Sequence, residues 1–588
     1  MRRIGLTQVG SFRGRRLGGH IPLVLVAGLM AGCGGDVTDP PPPPPPPPSS
    51  TAQCSSQSVL QLAVGAHQVV DPTQTNGCVR VPQAGSGGAE YLLVIASTAT
   101  NRSAAGISGG YQLRASNPTA AATAVAPVSR VDGFEPAPRR ARTAADLFHD
   151  HLRSREAALA ADPANRGMPL APPVATAPPV VGDVRTFKAC ANVSCSSFVD
   201  VAATARYVGT KAAIYMDNSV PTADTLRDVD YDDLGQTFDN HHYPIDLAAF
   251  GPESDIDGNE RIVILMTDAV NNLTPDCTNG RVLGYFFGLD LITTGAQAVN
   301  SNKAEVFYTF VPAPANSSGT CNAISRSSAV NNVKPTLIHE LQHMISWNRR
   351  VLQGGGNSEE TWLNEAMSHF AEELGGRLIP NSECVAAGFS SCRSQYISSD
   401  IINTHDYLQD PEGHYLIYPT SSNGTLEERG ASWFFLRWVI DQFATDTILG
   451  TDFTPSLVTG PGGGASIVAR TGTPFSQLVP EWLMAAYLDD LPNFTAASPR
   501  LRLRSWGLRS IWTDPRNSQI FPAGFPLKPD STSGGYSRIG TLRGGSGRHL
   551  RLIQQANGPA IDVQLLRDAQ GTAIDPALVP RIGIVRIR

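Results

Sequence analysis

The sequence predicts an α+β protein, because segments with strand, mixed and helical patterns follow one another along its 588 residues. Over residues 51–129, short apolar runs alternate with Gly, Asn and Ser, which is typical of β-strands joined by turns. From residue 181, strand patterns alternate with loops, and helical periodicity dominates over 335–490. Short strand patterns return over 499–588. We therefore predict a mixed α/β lobe and a helical lobe, flanked by small N- and C-terminal β-rich domains.

A basic and then apolar segment opens the chain. Five arginines lie within the first 16 residues, the apolar run Ile21–Met30 comes next, and Ala31-Gly32-Cys33 follows. This order is typical of a secretory signal peptide, which we assign to residues 1–32. The end of the run resembles the acylation site of bacterial lipoproteins, with Cys33 as the lipidated residue, and cleavage without acylation is the alternative. The expected location is the bacterial cell envelope, lipid-anchored to the outer membrane or cell surface, or the medium after release.

Nine consecutive prolines, Pro40–Pro48, come shortly after the predicted lipid site. A polyproline II helix rises about 3.1 Å per residue, so this run would span roughly 28 Å. We assign residues 33–50 to lipid attachment and a stalk that holds the rest of the chain away from a membrane. A ligand for aromatic grooves is the alternative interpretation.

Residues 130–180 differ in composition from the segments on either side. Ala, Pro and Arg dominate, and there is one helical pattern from Thr143 to Ala161. We interpret this stretch as a linker or part of a pro-segment. We expect His149 and His151, which lie within the helical pattern, to be exposed to solvent.

The domain predicted over residues 181–498 contains an acidic turn, Asp255-Ile-Asp-Gly-Asn259, directly before the apolar strand pattern Arg261–Met266. Asp255, Asp257 and Asn259 resemble part of an oxygen-ligand loop for Ca²⁺. The glutamate of a full EF-hand loop is missing at its expected position. An Asx-rich turn is therefore our first interpretation, and a Ca²⁺ site is the second.

The segment Thr336–Trp347 contains an HExxH pattern made by His339, Glu340 and His343. Histidines four residues apart on a helix project from one face and can share a metal ion. Two neutral imidazoles are suitable ligands for Zn²⁺, and the glutamate between them is placed to take a proton from a zinc-activated water. Pro335 suits the first turn of this helix. The alternative is an ordinary pair of surface or core histidines.

A second helical pattern, Glu359–Leu374, follows shortly after the first and contains Glu365. A zinc ion that keeps one position open for water needs three protein ligands, and Glu365 would complete a His₂Glu set with His339 and His343. His369 shares the face of Glu365, either as a hydrogen-bonding partner that orients a ligand, which we favour, or as a rival third ligand. The remaining glutamates of this segment are interpreted as helix-surface carboxylates: Glu359, Glu360, Glu372 and Glu373.

The HExxH helix followed by Trp362-Leu-Asn-Glu-Ala366 resembles the gluzincin peptidases, and most closely the hyicolysin-type zinc metallopeptidases. The resemblance covers roughly residues 181–493. It implies a gluzincin-like peptidase fold, with zinc bound by His339, His343 and Glu365 and with Glu340 as the general base. It also implies protein or peptide substrates. His369 departs from the family, because many gluzincins have a carboxylate at this position.

Peptidases of this type also need a donor to the oxyanion of the tetrahedral intermediate, usually a later His or Tyr. Five residues after the zinc helices are candidates, in a stretch that reads as loop, and their spacing selects none of them. They are His405, Tyr407, His414, Tyr415 and Tyr418.

The chain has nine cysteines, so eight remain besides Cys33. An even number agrees with disulfides in an oxidising compartment, although eight cysteines allow 105 connectivities. Nearest-neighbour pairing gives four bridges: Cys54 with Cys78, Cys190 with Cys195, Cys277 with Cys321, and Cys384 with Cys392.

The formal net charge of -6 argues against nucleic acid as a partner. The HExxH helix, Glu365 and the signal-like N-terminus together predict an exported endopeptidase that hydrolyses peptide bonds with zinc. Two alternatives stay open: zinc hydrolysis of a non-peptide amide or ester, and a non-catalytic surface-binding lipoprotein on a peptidase scaffold. The intact set of His339, Glu340, His343 and Glu365 favours an enzyme over a scaffold.

Overall fold

The chain divides into two units, residues 1–47 and 48–588, and the computed structural model describes residues only in the second. The predicted signal peptide, Cys33 and the proline stalk lie outside the described residues. The described ranges are 54, 56–103, 105–117, 143–167, 176–221, 225–274, 280–314, 323–379, 395–420 and 422–588.

Fifteen strands form three sheets in the described part of the chain. They are β1 (His67–Val70), β2 (Cys78–Val81), β3 (Ala89–Ser97), β4 (Ser108–Ser116), β5 (Val184–Cys190), β6 (Phe198–Val208), β7 (Ala212–Asp217), β8 (Ile262–Met266), β9 (Gly284–Phe286), β10 (Val306–Thr309), β11 (Asp530–Thr532), β12 (Tyr536–Arg543), β13 (Gly547–Gln554), β14 (Ile561–Leu566) and β15 (Pro580–Arg586).

Twelve α-helices are present in the same ranges. They are α1 (Ala144–Ala161), α2 (Asp228–Thr237), α3 (Tyr243–Phe250), α4 (Asp268–Asn271), α5 (Arg326–Trp347), α6 (Thr361–Arg377), α7 (Ser398–Gln409), α8 (Leu426–Phe443), α9 (Thr454–Val458), α10 (Gly463–Thr471), α11 (Phe475–Leu488) and α12 (Leu508–Thr513). The chain is thus a mixed α+β protein with several sheets and helices.

Strands from both ends of the chain pair in two sheets, with the orders β1-β15-β3-β13-β11 and β12-β4-β14-β2. Strand β15 lies between β1 and β3, and β14 lies between β4 and β2. The structure therefore differs from the prediction of separate β-rich domains at the two ends. The physical reason is that each of the two sheets is made of strands from both ends of the chain. Without the strands from one end, the others would have unpaired edges with exposed backbone N–H and C=O groups.

The third sheet has the order β5-β6-β7-β8-β10-β9. Strands β7, β8 and β10 are parallel neighbours, whereas the outer strands pair antiparallel. Every residue of β7 and β8 is buried, as expected for parallel strands that are covered on both faces. The apolar strand pattern read from the sequence over 261–266 corresponds to β8, one of these central strands.

Helix α5 begins at Arg326, nine residues before Pro335, so the expectation that Pro335 lies in its first turn is wrong. The cap is instead Ser325, whose Oγ accepts a hydrogen bond from the N–H of Ser328 at 3.1 Å. Pro335 lies inside the helix, where it can donate no backbone hydrogen bond.

Helix α1 agrees with the pattern read from the sequence, and Thr143 caps it with a capping box to Asp146. It packs against the rest of the described chain: the ring of Phe148 lies edge-on to Tyr285 at 5.0 Å, and Asp150 accepts a hydrogen bond from the N–H of Asn423 at 3.1 Å. This helix is therefore packed into the fold and is not a solvated linker.

Two predicted disulfides are present, Cys54–Cys78 and Cys190–Cys195, with Cα–Cα distances of 5.5 and 4.8 Å. The other two predicted pairs involve cysteines outside the described residues. No helix in the described ranges is long and apolar enough to cross a membrane.

Candidate metal centre

The residues of the HExxH pattern lie on the C-terminal half of α5, where most side chains are buried. Helix α6 packs against α5 and carries Glu365. Glu340, His343 and Glu365 are 3%, 2% and 1% exposed, and the side chain of His339 is 11% exposed. The two helices thus bring all four residues together in a nearly closed interior site.

The possible ligand atoms of His339, His343 and Glu365 converge on one point. The two imidazole Nε2 atoms are 3.2 Å apart. Glu365 Oε2 lies 3.6 Å from His339 Nε2, and Glu365 Oε1 lies 3.7 Å from His343 Nε2. Zinc–nitrogen distances of about 2.0–2.1 Å place tetrahedral ligand atoms roughly 3.3 Å apart, so this donor set has the chemistry and the separations to hold Zn²⁺.

Hydrogen bonds orient both histidine rings. His339 Nδ1 lies 2.7 Å from Glu372 Oε1, and because a carboxylate accepts, this contact leaves the Nε2 lone pair for a metal. His343 Nδ1 lies 3.2 Å from Ser368 Oγ, which itself donates to Gln342 Oε1 at 2.5 Å. Glu372 and Ser368 therefore support the ring orientation that a shared metal needs.

His369 lies beside this set and not within it. Its Nδ1 is 3.0 Å from Glu372 Oε1 and 2.9 Å from Asp400 Oδ1. Burial alone would lower the pKa of His369, but these two carboxylates outweigh it and raise the pKa to about 10. His339, His369 and Glu372 form a second grouping of metal-binding residue types. With its Nδ1 against Glu372 and Asp400, His369 is placed as a hydrogen-bonding neighbour of Glu372, which itself contacts His339.

Glu365 is held in its ionised form. Burial would raise the pKa of its carboxyl group, but Arg429 and the neighbouring histidines outweigh burial and hold it well below its usual range. The Arg429 Nη1 atom lies 3.2 Å from Glu365 Oε2. An ionised carboxylate is the form that binds a metal, so Arg429 supports the ligand role considered for Glu365.

Glu340 occupies a position beside the convergence point. Its Oε2 accepts a hydrogen bond from the N–H of Phe286 at 2.8 Å. Burial raises the pKa of the Glu340 carboxyl group, and His339 and Arg153 partly counteract that rise. A carboxylate with a raised pKa beside a metal site has the properties expected of a general base.

Helix α1 supplies groups that the sequence interpretation did not place at the site. Arg153 Nη2 lies 3.8 Å from Glu340 Oε2, while its Nη1 donates to Glu156 Oε2 at 2.6 Å. Glu156 Oε1 in turn accepts from the N–H of Gly288 at 2.8 Å. Nothing in the spacing of residues 143–161 relates this helix to residues almost two hundred positions later, so no sequence signal pointed to these contacts.

His149, expected to be exposed, is half-buried on α1 instead, whereas His151 is exposed as expected. Burial lowers the pKa of His149 well below its usual value, and the charges of Arg429, Glu365 and Arg153 also act on it. His149 is thus a neutral imidazole in the surroundings of the candidate metal ligands.

Three of the four glutamates interpreted as surface carboxylates are buried: Glu359, Glu372 and Glu373. Glu372 follows Glu365 by seven residues and His369 by three, so all three share one helix face, and this spacing was a usable signal. Glu373 is paired with buried arginines, Arg377 and Arg437. The interpretation failed because charged residues are rarely buried unless they are paired, and the partners are distant in sequence.

The five candidate oxyanion donors are spread over several environments. His405 and Tyr407 lie on α7 and not in a loop, and Tyr407 stacks on Trp482 at 5.8 Å. His405 lies near the carbonyl of Gly524, and Tyr415 near Arg543. The His414 ring lies 6.2 Å from that of Tyr407.

Tyr418 differs from the other four, because the charge of Glu365 acts on its phenol group, whose pKa is raised by burial. Its hydroxyl group is 2.7 Å from Ser432 Oγ and is fully buried. Tyr418 thus lies within the electrostatic influence of a candidate metal ligand.

No family model matches the chain. Over 196 residues it is 28% identical to the neutral metalloprotease ShpI from Staphylococcus hyicus, which corresponds to 33% of this chain and 40% of that protein. The chain thus matches less than half the length of this relative. A solved M1 zinc metallopeptidase from Deinococcus radiodurans is 14% identical, with a TM-score of 0.27, over 51% of this chain and 52% of the other. The chain is therefore similar, over a third of its length, to a metalloprotease.

Proposed function

We propose that the chain is a zinc-dependent endopeptidase in which His339, His343 and Glu365 hold the metal and Glu340 is the general base. One observation carries the proposal: the ligand atoms of the first three residues lie 3.2–3.7 Å apart, with Glu340 on the same helix turn. The partial similarity to a metalloprotease supports the same conclusion. Zn²⁺ bound there would act as a Lewis acid and lower the pKa of a water molecule to about 7.

The residues of the chain supply the proton transfers. Glu340 takes a proton from the attacking water and returns it to the leaving amine of the peptide bond. The N–H of Phe286 fixes Oε2 of this carboxylate, which leaves Oε1 to receive the proton. Arg153 favours the ionised form of this carboxylate, because a nearby positive charge lowers its pKa and partly offsets the effect of burial.

We also propose that the substrates are proteins or peptides and that the chain works outside the cytoplasm. Two disulfides in the described part of the chain support an oxidising compartment. The lipid anchor at Cys33 rests on the sequence alone. Labelling cells with a radioactive fatty acid tests it: the native chain should take up label, and a Cys33→Ala variant should not.

Casein hydrolysis by the chain without its signal and stalk tests the proposed activity. The native chain is compared with Glu340→Ala, with a chelated sample, and with Glu427→Gln as a control carboxylate substitution outside the site. Removing a general base typically costs 10²–10⁴-fold in rate, so Glu340→Ala should lose that much activity while keeping its zinc. Glu427→Gln should match the native chain.

The zinc content of each sample separates the possible failures. Zinc bound without hydrolysis by the native chain would favour the surface-binding alternative, in which the peptidase fold only presents a binding face. Full activity in Glu340→Ala would remove the general-base role. A native chain that binds no zinc would contradict the proposal as a whole.

A further inference from the structure

Three carboxylates from two separate segments meet beside the mixed sheet. Asp255 and Asp257 lie in the turn before β8, and Glu305 directly precedes β10. Because β8 and β10 are parallel neighbours, with Val263 opposite Val306, their N-terminal ends lie side by side. One carboxylate oxygen from each of the three residues lies within 4.8 Å of the others.

Glu305 is 1% exposed and its two oxygens differ in their surroundings. Oε1 accepts hydrogen bonds from Ser254 Oγ at 2.6 Å and from the N–H of Ile256 at 3.0 Å. Oε2 is buried and has no hydrogen-bond partner in the described part of the chain. A buried acceptor without a partner is costly, so this oxygen is free to accept from a water molecule or to bind a cation.

The charges around the cluster do not balance. Arg185 Nη1 lies 3.8 Å from Asp257 Oδ2, but this arginine also donates through Nη2 to the carbonyl of Asn302 at 2.8 Å. One guanidinium group thus faces three carboxylates. Burial also raises the pKa of Glu305 to about 7, which reflects how poorly this carboxylate is compensated without a further positive charge.

We propose that Asp255, Asp257 and Glu305 bind a Ca²⁺ ion. The donors are all oxygen, with no His or Cys among them, which selects a hard cation. Three carboxylates from two segments of the chain, completed by backbone carbonyls and water, would suit the six to eight ligands of Ca²⁺ better than the strict octahedron of Mg²⁺. Asn259 supports the site from outside: its Nδ2 donates to Asp257 Oδ2 at 2.8 Å.

This site explains why the acidic turn lacks the final glutamate of an EF-hand loop. The missing carboxylate comes from Glu305, about fifty residues later in the chain and adjacent in the sheet. A bound ion would tie the turn before β8 to the start of β10. Strand β10 also pairs with β9, whose Phe286 contacts Glu340. The proposal does not depend on zinc or on peptidase activity.

Calcium binding and thermal unfolding of the full chain test the proposal, with zinc held constant and measured throughout. Binding of radioactive ⁴⁵Ca²⁺ by equilibrium dialysis gives the stoichiometry, and extracellular Ca²⁺ modules lead us to expect a dissociation constant of about 10⁻⁴–10⁻³ M. Ca²⁺ at ten times that constant should raise the ratio of folded to unfolded chain about elevenfold, which appears as a higher Tm. Mg²⁺ at the same concentration should have a smaller effect.

The variants Glu305→Gln and Asp257→Asn should lose both the bound ⁴⁵Ca²⁺ and the Ca²⁺-dependent rise in Tm. Without Ca²⁺, Glu305→Gln should be at least as stable as the native chain, because it removes a buried, poorly compensated carboxylate. Glu260→Gln, an exposed carboxylate in the same turn, should behave like the native chain. Retention of the Ca²⁺ effect in the first two variants, its absence from the native chain, or an equal effect of Mg²⁺ would overturn the proposal.

Discussion

Arg153 Nη2 lies 3.8 Å from Glu340 Oε2, so a helix from the predicted linker places a guanidinium group beside the candidate general base. Arg153 is 6% exposed and is also paired with Glu156, which keeps the guanidinium group in place. The acidity of Glu340 is therefore set by two opposing influences, burial on one side and the positive charges near it on the other.

Replacing Arg153 with Met should shift the acid limb of the pH profile of kcat/KM to higher pH. Arg153 lowers the pKa of Glu340, so its removal raises that pKa, and the ionised base then forms only at higher pH. The expected shift is about one pH unit, at the lower end of the effect of an opposite charge within 4–6 Å. Peptide hydrolysis measured between pH 4 and 9 would show it.

Arg155→Met is the matched control, because Arg155 lies on the same helix and faces the rings of Phe198 and Phe287 instead. It should leave the acid limb where it is. Arg153→Met also leaves Glu156 unpaired, so a double variant with Glu156→Gln separates the two charges. An acid limb that stays in place in all three variants would mean that Arg153 does not act on the base during turnover.

Glu372→Gln should weaken zinc binding by about 10–100-fold, the usual cost of losing a hydrogen-bonding partner of a metal-bound histidine. The carboxylate of Glu372 accepts from His339 Nδ1 at 2.7 Å and thereby fixes the ring with Nε2 toward the convergence point. Competition with a chelator of known zinc affinity measures the change. Equal zinc affinity in the variant and the native chain would exclude an orienting role for Glu372.

Glu360→Gln provides the comparison, since Glu360 accepts from Trp362 Nε1 and, among the described residues, no hydrogen bond joins it to a histidine. Its zinc affinity should match that of the native chain. At saturating zinc, Glu372→Gln should recover most of its hydrolytic rate, because the substitution affects the occupancy of the site more than the base.

The candidate ligand residues could be named from the sequence because the pattern that marks them is local. His339, Glu340 and His343 lie within five positions on one helix, and Glu365 lies in a second helix with a recognisable apolar pattern. The residues that orient these groups or shift their pKa values could not be predicted in this way, because Arg429 and Arg153 come from elements far away in sequence. Charge pairing of this kind has no period and no motif, so only the packed structure reveals it.

The same distinction applies to the fold. The strand and helix patterns were locally readable, and the helix capped by Thr143 is present as predicted. The pairing of β15 between β1 and β3 could not be predicted, since a strand pattern does not indicate which distant strand will pair with it. Separate end domains were the simplest interpretation of two β-rich segments, and strand pairing between the two ends replaces it.

Glu373→Ala should destabilise the chain by about 3–5 kcal/mol, because it leaves buried arginines without their counter-charge. Glu373 Oε1 accepts from Arg377 Nε at 2.6 Å and lies 3.4 Å from Arg437 Nη1, and both partners are almost fully buried. Trp433 and Trp506 also donate to this carboxylate. Thermal unfolding followed by tryptophan fluorescence reports the change directly, since two of the affected donors are indoles.

Glu427→Gln on α8 is the control for that measurement and should unfold within the error of the native chain. The Tm of Glu373→Gln should fall between those of Glu373→Ala and Glu427→Gln, because an amide oxygen still accepts from the indoles but carries no charge. A Tm for Glu373→Ala equal to that of the control would mean that the arginines find other partners.

The substitution Ile584→Asp should expose the strand segments at both ends of the chain to proteolysis. Ile584 lies on β15 opposite Leu93 of β3, both side chains are fully buried, and a charge there removes apolar burial and leaves an unpaired carboxylate. Ile539→Asp is the control, because Ile539 is 67% exposed on β12, in the other sheet that strands from both ends of the chain form. Limited proteolysis with mass spectrometry should detect new cleavage of Ile584→Asp within residues 56–117 as well as after residue 499. Cleavage confined to the C-terminal segment would show that the N-terminal strands hold together without β15, as independent end domains would.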